Sequence, residues 1–163
     1  MRVFMSGMEW FPDCAGGLNR YFYDEMYALS DLGITGSSMV AYLQQRQAAP
    51  FTLYDMAPPT ASLGQRLRGA KRIAVSQINE GVDLINVHFA LYALPWLKNI
   101  RPRTPLVIHF HGPWADEMQE EIPTTKGRLR AALARSVERK VYRRGDRVVT
   151  LSRSFSQVAQ NII

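Results

Sequence analysis

The chain has 163 residues, of which 47% are hydrophobic and 21% charged, and its formal net charge is +6. This length and composition are typical of one soluble globular domain with a substantial core. The single cysteine, Cys14, excludes an internal disulfide, and the longest weakly polar stretch, residues 85–97, is shorter than the roughly 20 residues that a membrane span needs.

The first 60 residues predict a strand, a loop, a helix and a second strand. Residues 2–6 form the first strand, and the loop after it contains Pro12 and the pair Gly16-Gly17. Apolar residues then recur every three or four positions and indicate a helix that ends at Leu32-Gly33; they are Leu18, Phe22, Met26 and Leu29. We predict a second strand over residues 39–43 and an irregular crossing over 44–60.

The remaining residues continue this alternation. We predict a helix capped by Thr60 or Ser62, and then three further strands over residues 83–88, 105–110 and 147–151. A short helix is expected over 90–98 and a last helix after Ser152. A long helix is also expected, with four apolar residues on one face: Leu129, Leu133, Val137 and Val141.

The alternation of strands and helices implies an α/β fold with a doubly wound, Rossmann-like parallel sheet and helices on both faces. The strand order 3-2-1-4-5 would place the first and fourth predicted strands side by side, where the order reverses. Open α/β sheets bind ligands at the carboxyl ends of the strands at this point. We therefore expect the Gly16-Gly17 loop and His111 to flank one crevice.

All three histidines lie near the ends of predicted strands. His88 ends the third strand, while His109 and His111 are two residues apart at the end of the fourth, so an extended backbone points them to the same side. Each histidine taken alone is more often a satisfied structural residue than a catalyst. Two at the ends of neighbouring strands favour a functional role, and His109, at an inner strand position, has the weakest claim.

The pair Gly16-Gly17 opens the first helix, so bare N–H groups at the positive helix end could receive a phosphate or a sugar hydroxyl. A simple turn is the alternative interpretation. The spacings of a dinucleotide fingerprint and of a P-loop are absent from the sequence. No spacing marks a pair of catalytic carboxylates, and no nucleophile elbow follows a strand, so the sequence does not support a hydrolase. Zinc-type cysteine and histidine spacing is also absent, and we expect no metal site.

Basic residues are concentrated between Lys126 and Arg147, which contain nine of the twenty lysines and arginines. Four of them align along the predicted long helix: Arg128, Arg135, Arg139 and Arg143. Such a stripe is either a solvated face or a surface that docks to an anionic membrane or a charged acceptor. Nucleic acid is not expected, because aromatic residues are not interleaved with the arginines as stacking platforms would be.

Four segments, in this order, cover nearly the whole chain: Pro12 with Gly-Gly-Leu-Asn-Arg at 16–20, then 83–89, 105–116 and 146–152. Together they resemble the N-terminal domain of family 4 glycosyltransferases, which are retaining enzymes of the GT-B fold that use nucleotide sugars. The resemblance implies that residues 1–163 form the acceptor-side, Rossmann-like lobe of a GT-B fold. It also implies a nucleotide-sugar donor and a glycan or lipid-linked acceptor, in polysaccharide or glycolipid synthesis.

The resemblance assigns roles to several residues. Gly16 and Gly17 would lie near the donor phosphates and the acceptor, His111 beside the transferred sugar in contact with a hydroxyl, and His88 on the acceptor side. On position alone, three more residues could shape the acceptor pocket: Glu9, Trp10 and Trp114. The nucleotide sugar is a substrate, and no cofactor is expected.

The family's donor-binding second domain, with its Glu-x7-Glu motif, is not found in these residues. We therefore expect this chain to fold without turning over alone, in the cytoplasm or at the inner face of the membrane. Two alternatives stay open. One is a non-catalytic module that binds a nucleotide or phospho-ligand, and the other is a membrane-docking domain that uses the basic helix.

Overall fold

Six parallel strands form one sheet in the structure, a computed structural model that describes residues 1–43, 49–121 and 124–163. The strands are β1 (Arg2–Glu9), β2 (Thr35–Ala41), β3 (Thr52–Asp55), β4 (Leu84–Val87), β5 (Leu106–Phe110) and β6 (Arg147–Thr150). Their order across the sheet is β3-β2-β1-β4-β5-β6, so the direction of winding reverses between β1 and β4. The prediction of a doubly wound parallel sheet is confirmed.

Helices connect the strands and cover both faces of the sheet. They are α1 (Gly17–Asp31), α2 (Leu63–Glu80), α3 (Ala90–Ala93), α4 (Trp114–Glu121), α5 (Thr125–Tyr142) and α6 (Arg153–Ile162), and a 3₁₀ helix covers Leu94–Asn99. Ser62 caps α2 in a reciprocal capping box with Gln65, and Ser152 caps α6 through the Phe155 N–H. None of the helices in the described ranges is both long and apolar enough to span a bilayer.

The alternation of side chains along β1 divides the core into two layers. Val3 and Met5 point to the face covered by α1, where they pack with Phe22. Phe4 points to the opposite face, which the other helices cover, and its ring meets that of Trp96 edge-on at 6.0 Å. The middle of β1 is therefore buried between the two layers, while its last two residues, Met8 and Glu9, are partly exposed.

The second strand and the segment after it differ from the prediction. β2 begins at Thr35 rather than at residue 39, because Ser37 and Ser38 are buried and bonded: the Ser37 hydroxyl donates to Gln77 Oε1 at 2.6 Å. Within the predicted irregular crossing, residues 52–55 form the edge strand β3, while residues 44–48 lie outside the described residues.

The predicted neighbour of the first strand is also wrong. β1 pairs with β4, in the register Met5 to Asn86, rather than with the strand over 105–110. The additional strand β3 occupies the outer position that residues 83–88 were expected to take, so β4 moves to the reversal point and β5 lies one strand further out. His88, which follows β4, is therefore next to β1, and His111 is one strand away.

The apolar face predicted for the long helix is wrong in its first half. Leu129 and Leu133 are 65% and 62% exposed, whereas Val141 is buried. The face of α5 that packs inward consists mostly of small residues, which let this helix approach α3 and α4 closely: Gly127, Ala131 and Ala134, with Glu138 and Val141.

Candidate functional site

A cavity of about 440 Å³ opens at the carboxyl ends of the central strands, beside the start of α1. Gly17 and His111 line it together, as the expected crevice requires, and His88 lines it as well. Its wall is largely aromatic, with contributions from Tyr21, Phe89, Trp114 and Tyr142. A concave, mostly apolar site with a few converging polar groups is the usual form of a small-ligand site.

The three histidines meet at this edge of the sheet. The rings of His88 and His109 are stacked with their centroids 4.2 Å apart and only 9° between their planes. The Nδ1 atom of His88 lies 3.2 Å from Nε2 of His111, within hydrogen-bond distance. His109, which had the weakest claim from the sequence, is thus part of the same cluster, while His111 is the member that faces the cavity together with His88.

A carboxylate that the sequence prediction missed contacts two of these three histidines. Glu25 of α1 places Oε2 3.0 Å from His88 Nε2 and Oε1 3.4 Å from His109 Nε2. Asn86 of β4 donates its Nδ2 to Glu25 Oε1 at 3.0 Å. The sequence did contain a signal: Glu25 comes three residues after Phe22, on the apolar face of α1, where a carboxylate needs a partner.

Burial keeps the imidazoles neutral. It lowers the pKa of His88 to about 3, and burial together with the neighbouring His88 lowers the pKa of His109 and of His111 to about 4, against the opposing effect of Glu25. Burial raises the pKa of Glu25, although His109 and the hydrogen bond from Asn86 act in the other direction. At neutral pH the cluster therefore offers uncharged donors and acceptors rather than imidazolium protons.

The cluster also meets a distance criterion for a metal site, since one nitrogen of each histidine lies within 4.8 Å of the others. The ring geometry favours a hydrogen-bonded chain instead. An imidazole lone pair lies in the ring plane, so the parallel stacked rings of His88 and His109 direct their lone pairs side by side rather than toward one point. The nitrogens of His88 and His111 already face each other.

The glycine pair lies where the sequence predicts, at the start of α1. Gly16 is the residue before the helix and Gly17 its first residue, and no side chain caps this end. The first turn contains no acidic residue, and a Cβ atom on Gly17 would meet no atom within 4 Å. The helix N-terminus therefore presents open N–H groups beside the cavity, which is a favourable place for an anion or a hydroxyl.

The three residues expected to shape an acceptor pocket separate in the structure. Trp114 lines the cavity and packs edge-on against Phe89 at 5.3 Å. Trp10 is fully buried in the core under α1, next to Tyr23, so its predicted place in the pocket is wrong. Glu9 accepts a hydrogen bond from the Asn19 side chain at 3.2 Å and fastens the end of β1 to α1, outside the cavity lining.

A second missed carboxyl group, that of Glu138 in α5, lies at the cavity wall with only 2% of the residue exposed. Burial raises its pKa to about 7, and the nearby Asp116 and Glu117 add to this effect. The backbone N–H groups of Ala115 and Trp114 act on the pKa in the other direction. Glu138 therefore lies beside the start of α4, the helix that begins with Trp114.

Three of the four arginines of the predicted basic stripe also bond to neighbouring helices. Arg135 donates to Asp116 Oδ1 at 2.7 Å and so fastens α4 to α5. Arg139 and Arg143 donate to the carbonyl oxygens of Ile162 and Ile163 at the end of α6. All four arginines are exposed, so the stripe remains a basic surface, and its docking role stays a prediction.

Comparisons with known proteins identify relatives of this fold. Residues 15–161 match the family model described as Glycosyltransferase Family 4. Among solved structures, sucrose-phosphate synthase from Thermosynechococcus elongatus is similar, with a TM-score of 0.72 and 15% sequence identity. The match covers 98% of this chain and 44% of that chain, so this chain spans less than half the length of its structural relative. No curated protein matches the sequence.

Proposed function

The chain belongs to Glycosyltransferase Family 4, and from this premise we propose that it forms the acceptor-side lobe of a retaining glycosyltransferase that uses a nucleotide sugar. The membership agrees with the resemblance inferred from the four sequence segments. The observation that carries the proposal is the shared cavity of Gly17 and His111 at the carboxyl edge of the sheet. We propose further that the reaction builds a polysaccharide or glycolipid at the cytoplasmic side of the membrane.

The electrostatics of the cavity suit sugar transfer. The transition state of a retaining transfer has positive charge on the sugar ring and growing negative charge on the departing diphosphate. The open N-terminus of α1 at Gly17 is placed to stabilise the diphosphate. His111 remains neutral, because burial lowers its pKa to about 4, so it can orient a sugar hydroxyl without opposing the positive charge on the ring.

The chemistry of the cavity wall also favours one class of acceptor. Its aromatic side chains offer broad apolar surfaces, and its charged groups among the described lining residues are the carboxyls of Glu117 and Glu138. No lysine or arginine of the described part of the chain lines it. We propose that a neutral sugar unit of the acceptor, rather than a phosphate, occupies this part of the site.

The experiment is a transfer assay with the protein that carries this chain. UDP-, GDP- and ADP-linked sugars are each offered with neutral and with phosphorylated oligosaccharide acceptors, and the anomeric configuration of the product is read by NMR. The proposal expects transfer from one donor class, with retention, to a neutral acceptor. Inversion, or nucleotide binding without transfer to any acceptor, would contradict it, and the second outcome would favour the non-catalytic binding module.

A second candidate function, contact with an anionic membrane, is favoured by the outward face of α5. Leu129 and Leu133 lie one turn apart and are exposed, with the exposed Lys126 and Lys140 at helical positions on the same face. Apolar side chains surrounded by lysines are typical of helices that lie on anionic membrane surfaces. This face is independent of Arg135 and Arg139, which are engaged with other helices.

A further inference from the structure

We infer that Glu25 is a positioning residue that acts through His88: it fixes the hydrogen-bonding direction of His111, so that His111 presents Nδ1 to the cavity as an acceptor. The structure thereby assigns the bound sugar hydroxyl the role of donor. That last assignment rests on the proposed function, whereas the positions of the imidazole protons are inferred from the contacts together with an ionised Glu25.

The first step is the contact between Glu25 and His88. Glu25 Oε2 lies 3.0 Å from His88 Nε2, within ion-pair distance, although the two atoms are not aligned as a hydrogen bond and neither has a hydrogen-bond partner among the described residues. The His88 side chain is fully buried, so water does not compete for its nitrogen. With Glu25 ionised, its oxygen can only accept, and the lone pair of an unprotonated nitrogen at this distance would repel it, so we assign the proton to His88 Nε2.

The second step derives the protonated nitrogen of His111 from that of His88. A neutral imidazole has one protonated and one unprotonated nitrogen, so a proton on His88 Nε2 leaves Nδ1 as an acceptor. This Nδ1 faces His111 Nε2 at 3.2 Å, and two lone pairs at that distance would repel each other. His111 Nε2 must then donate, which leaves His111 Nδ1 without a proton.

The third step concerns the cavity. His111 lines it while its Nε2 is turned to His88, so Nδ1 is the ring nitrogen left for a ligand. A neutral amide at position 25 could either accept or donate. The hydrogen bonds from residue 25 through His88 to His111 could then all reverse direction, and His111 would present Nδ1–H to the cavity. The carboxylate of Glu25 therefore selects one of two directions. Asn86, which donates to Oε1, and the stacked His109 hold it in place.

The experiment is a long-range ¹H–¹⁵N NMR spectrum of the imidazole rings, which distinguishes protonated from unprotonated ring nitrogens without any activity assay. The chain has only three histidines, so single substitutions assign the signals. At pH 7 we expect His88 and His111 both as Nε2–H tautomers. A wild-type spectrum with the proton of His111 on Nδ1, or with either ring in the imidazolium form, would overturn the inference even if every variant failed to fold.

Variants then test the direction of the effect. Glu25→Gln should move the Nδ1 signal of His111 toward the midpoint between the two forms, while His111→Ala should leave His88 as Nε2–H. Asp24→Asn is the matched control, because it changes the exposed residue directly before Glu25 in α1, and it should change neither ring. An unchanged His111 signal in Glu25→Gln would refute the role of Glu25. Absence of sugar transfer would refute the proposed function and leave these spectra as the test of the inference.

Discussion

The Nδ1 atom of His88 lies 3.2 Å from the Nε2 atom of His111, although the two residues follow different strands. This contact links the residues that follow β4 and β5. It lies at the edge of the sheet near the point between β1 and β4 where the strand order reverses. The N-terminus of α1 opens onto the same cavity through Gly17. The site is thus built from the ends of two neighbouring strands and the start of α1.

Acid should destabilise the fold through the histidine cluster. The pKa values of His88, His109 and His111 lie at about 3 to 4, below the ordinary 6.5, so the unfolded chain binds more protons between pH 6.5 and 4. Their contribution is complete above pH 6.5 and is lost as the pH falls, by up to about 1.4 kcal/mol per pH unit for each group. Glu25 and Glu138, whose pKa values are raised, oppose this effect and reduce the slope.

Urea unfolding at a series of pH values measures this dependence. We expect the free energy of unfolding to decrease from pH 7 to pH 5, by less than the three histidines alone would give. A free energy that is constant or rises over this interval would show that the histidines are protonated in the folded state.

Glu138→Gln should stabilise the protein at high pH only. Because burial raises the pKa of Glu138 to about 7, its carboxyl group is neutral at pH 5 and becomes a buried charge at pH 8 or above. Glutamine resembles the neutral form and can still accept a backbone hydrogen bond. We expect a gain in the free energy of unfolding on the order of 2 kcal/mol at pH 9 and nearly none at pH 5. An equal gain at both values would mean that Glu138 does not titrate in this range.

Two glycines of α2 should respond oppositely to alanine. A Cβ atom on Gly64 meets nothing within 4 Å, so Gly64→Ala should raise the free energy of unfolding by about 0.5–1 kcal/mol through helix propensity. A Cβ atom on Gly69 would collide with the carbonyl oxygen of Met56, and Gly69→Ala should lower it by roughly 1–3 kcal/mol. Thermal unfolding of both variants checks the pair, and a stabilised Gly69→Ala would disprove the close approach of α2 to residue 56.

Binding to anionic vesicles should depend on the exposed leucines of α5. The double variant Leu129→Ser with Leu133→Ser should reduce co-sedimentation with phosphatidylglycerol vesicles about tenfold, since both side chains are more than half exposed. Leu32→Ser, which changes an exposed leucine at the end of α1, is the control. If the double variant still binds the vesicles, or if binding does not weaken with salt, the hypothesis of membrane docking through this face is wrong.

The sheet was predictable because its central strands are apolar runs bounded by glycine and proline, a pattern that depends only on nearby residues. The edge strand β3 was not, since Thr52–Asp55 is short, only partly buried and close to Pro50, which is typical of a loop. β2 was misplaced because Ser37 and Ser38 are typical of a loop, and only the tertiary partner Gln77 makes their burial favourable. Missing β3 in turn put the wrong strand beside β1.

The candidate site was predictable where it follows the strand ends, at His88 and His111, and where it follows the glycine pair. Its carboxylates were not, because Glu25 contacts the histidines from α1 and Glu138 reaches the cavity from α5, and neither contact can be inferred from neighbouring residues in the sequence. Helical periodicity alone also favoured Leu133 over Ala134 as the inward residue of α5. Close helix packing decided otherwise, since small residues allow the approach.

Sugar transfer by His111→Ala, in the protein that carries this chain, tests the central claim most directly. We predict that kcat falls about 30-fold, as expected for losing one substrate hydrogen bond worth roughly 2 kcal/mol, while thermal unfolding and the activity of Asp24→Asn stay near those of the wild type. Unchanged transfer by a folded His111→Ala protein would contradict the account, because the transferred sugar would then lie outside the cavity that His111 and Gly17 share.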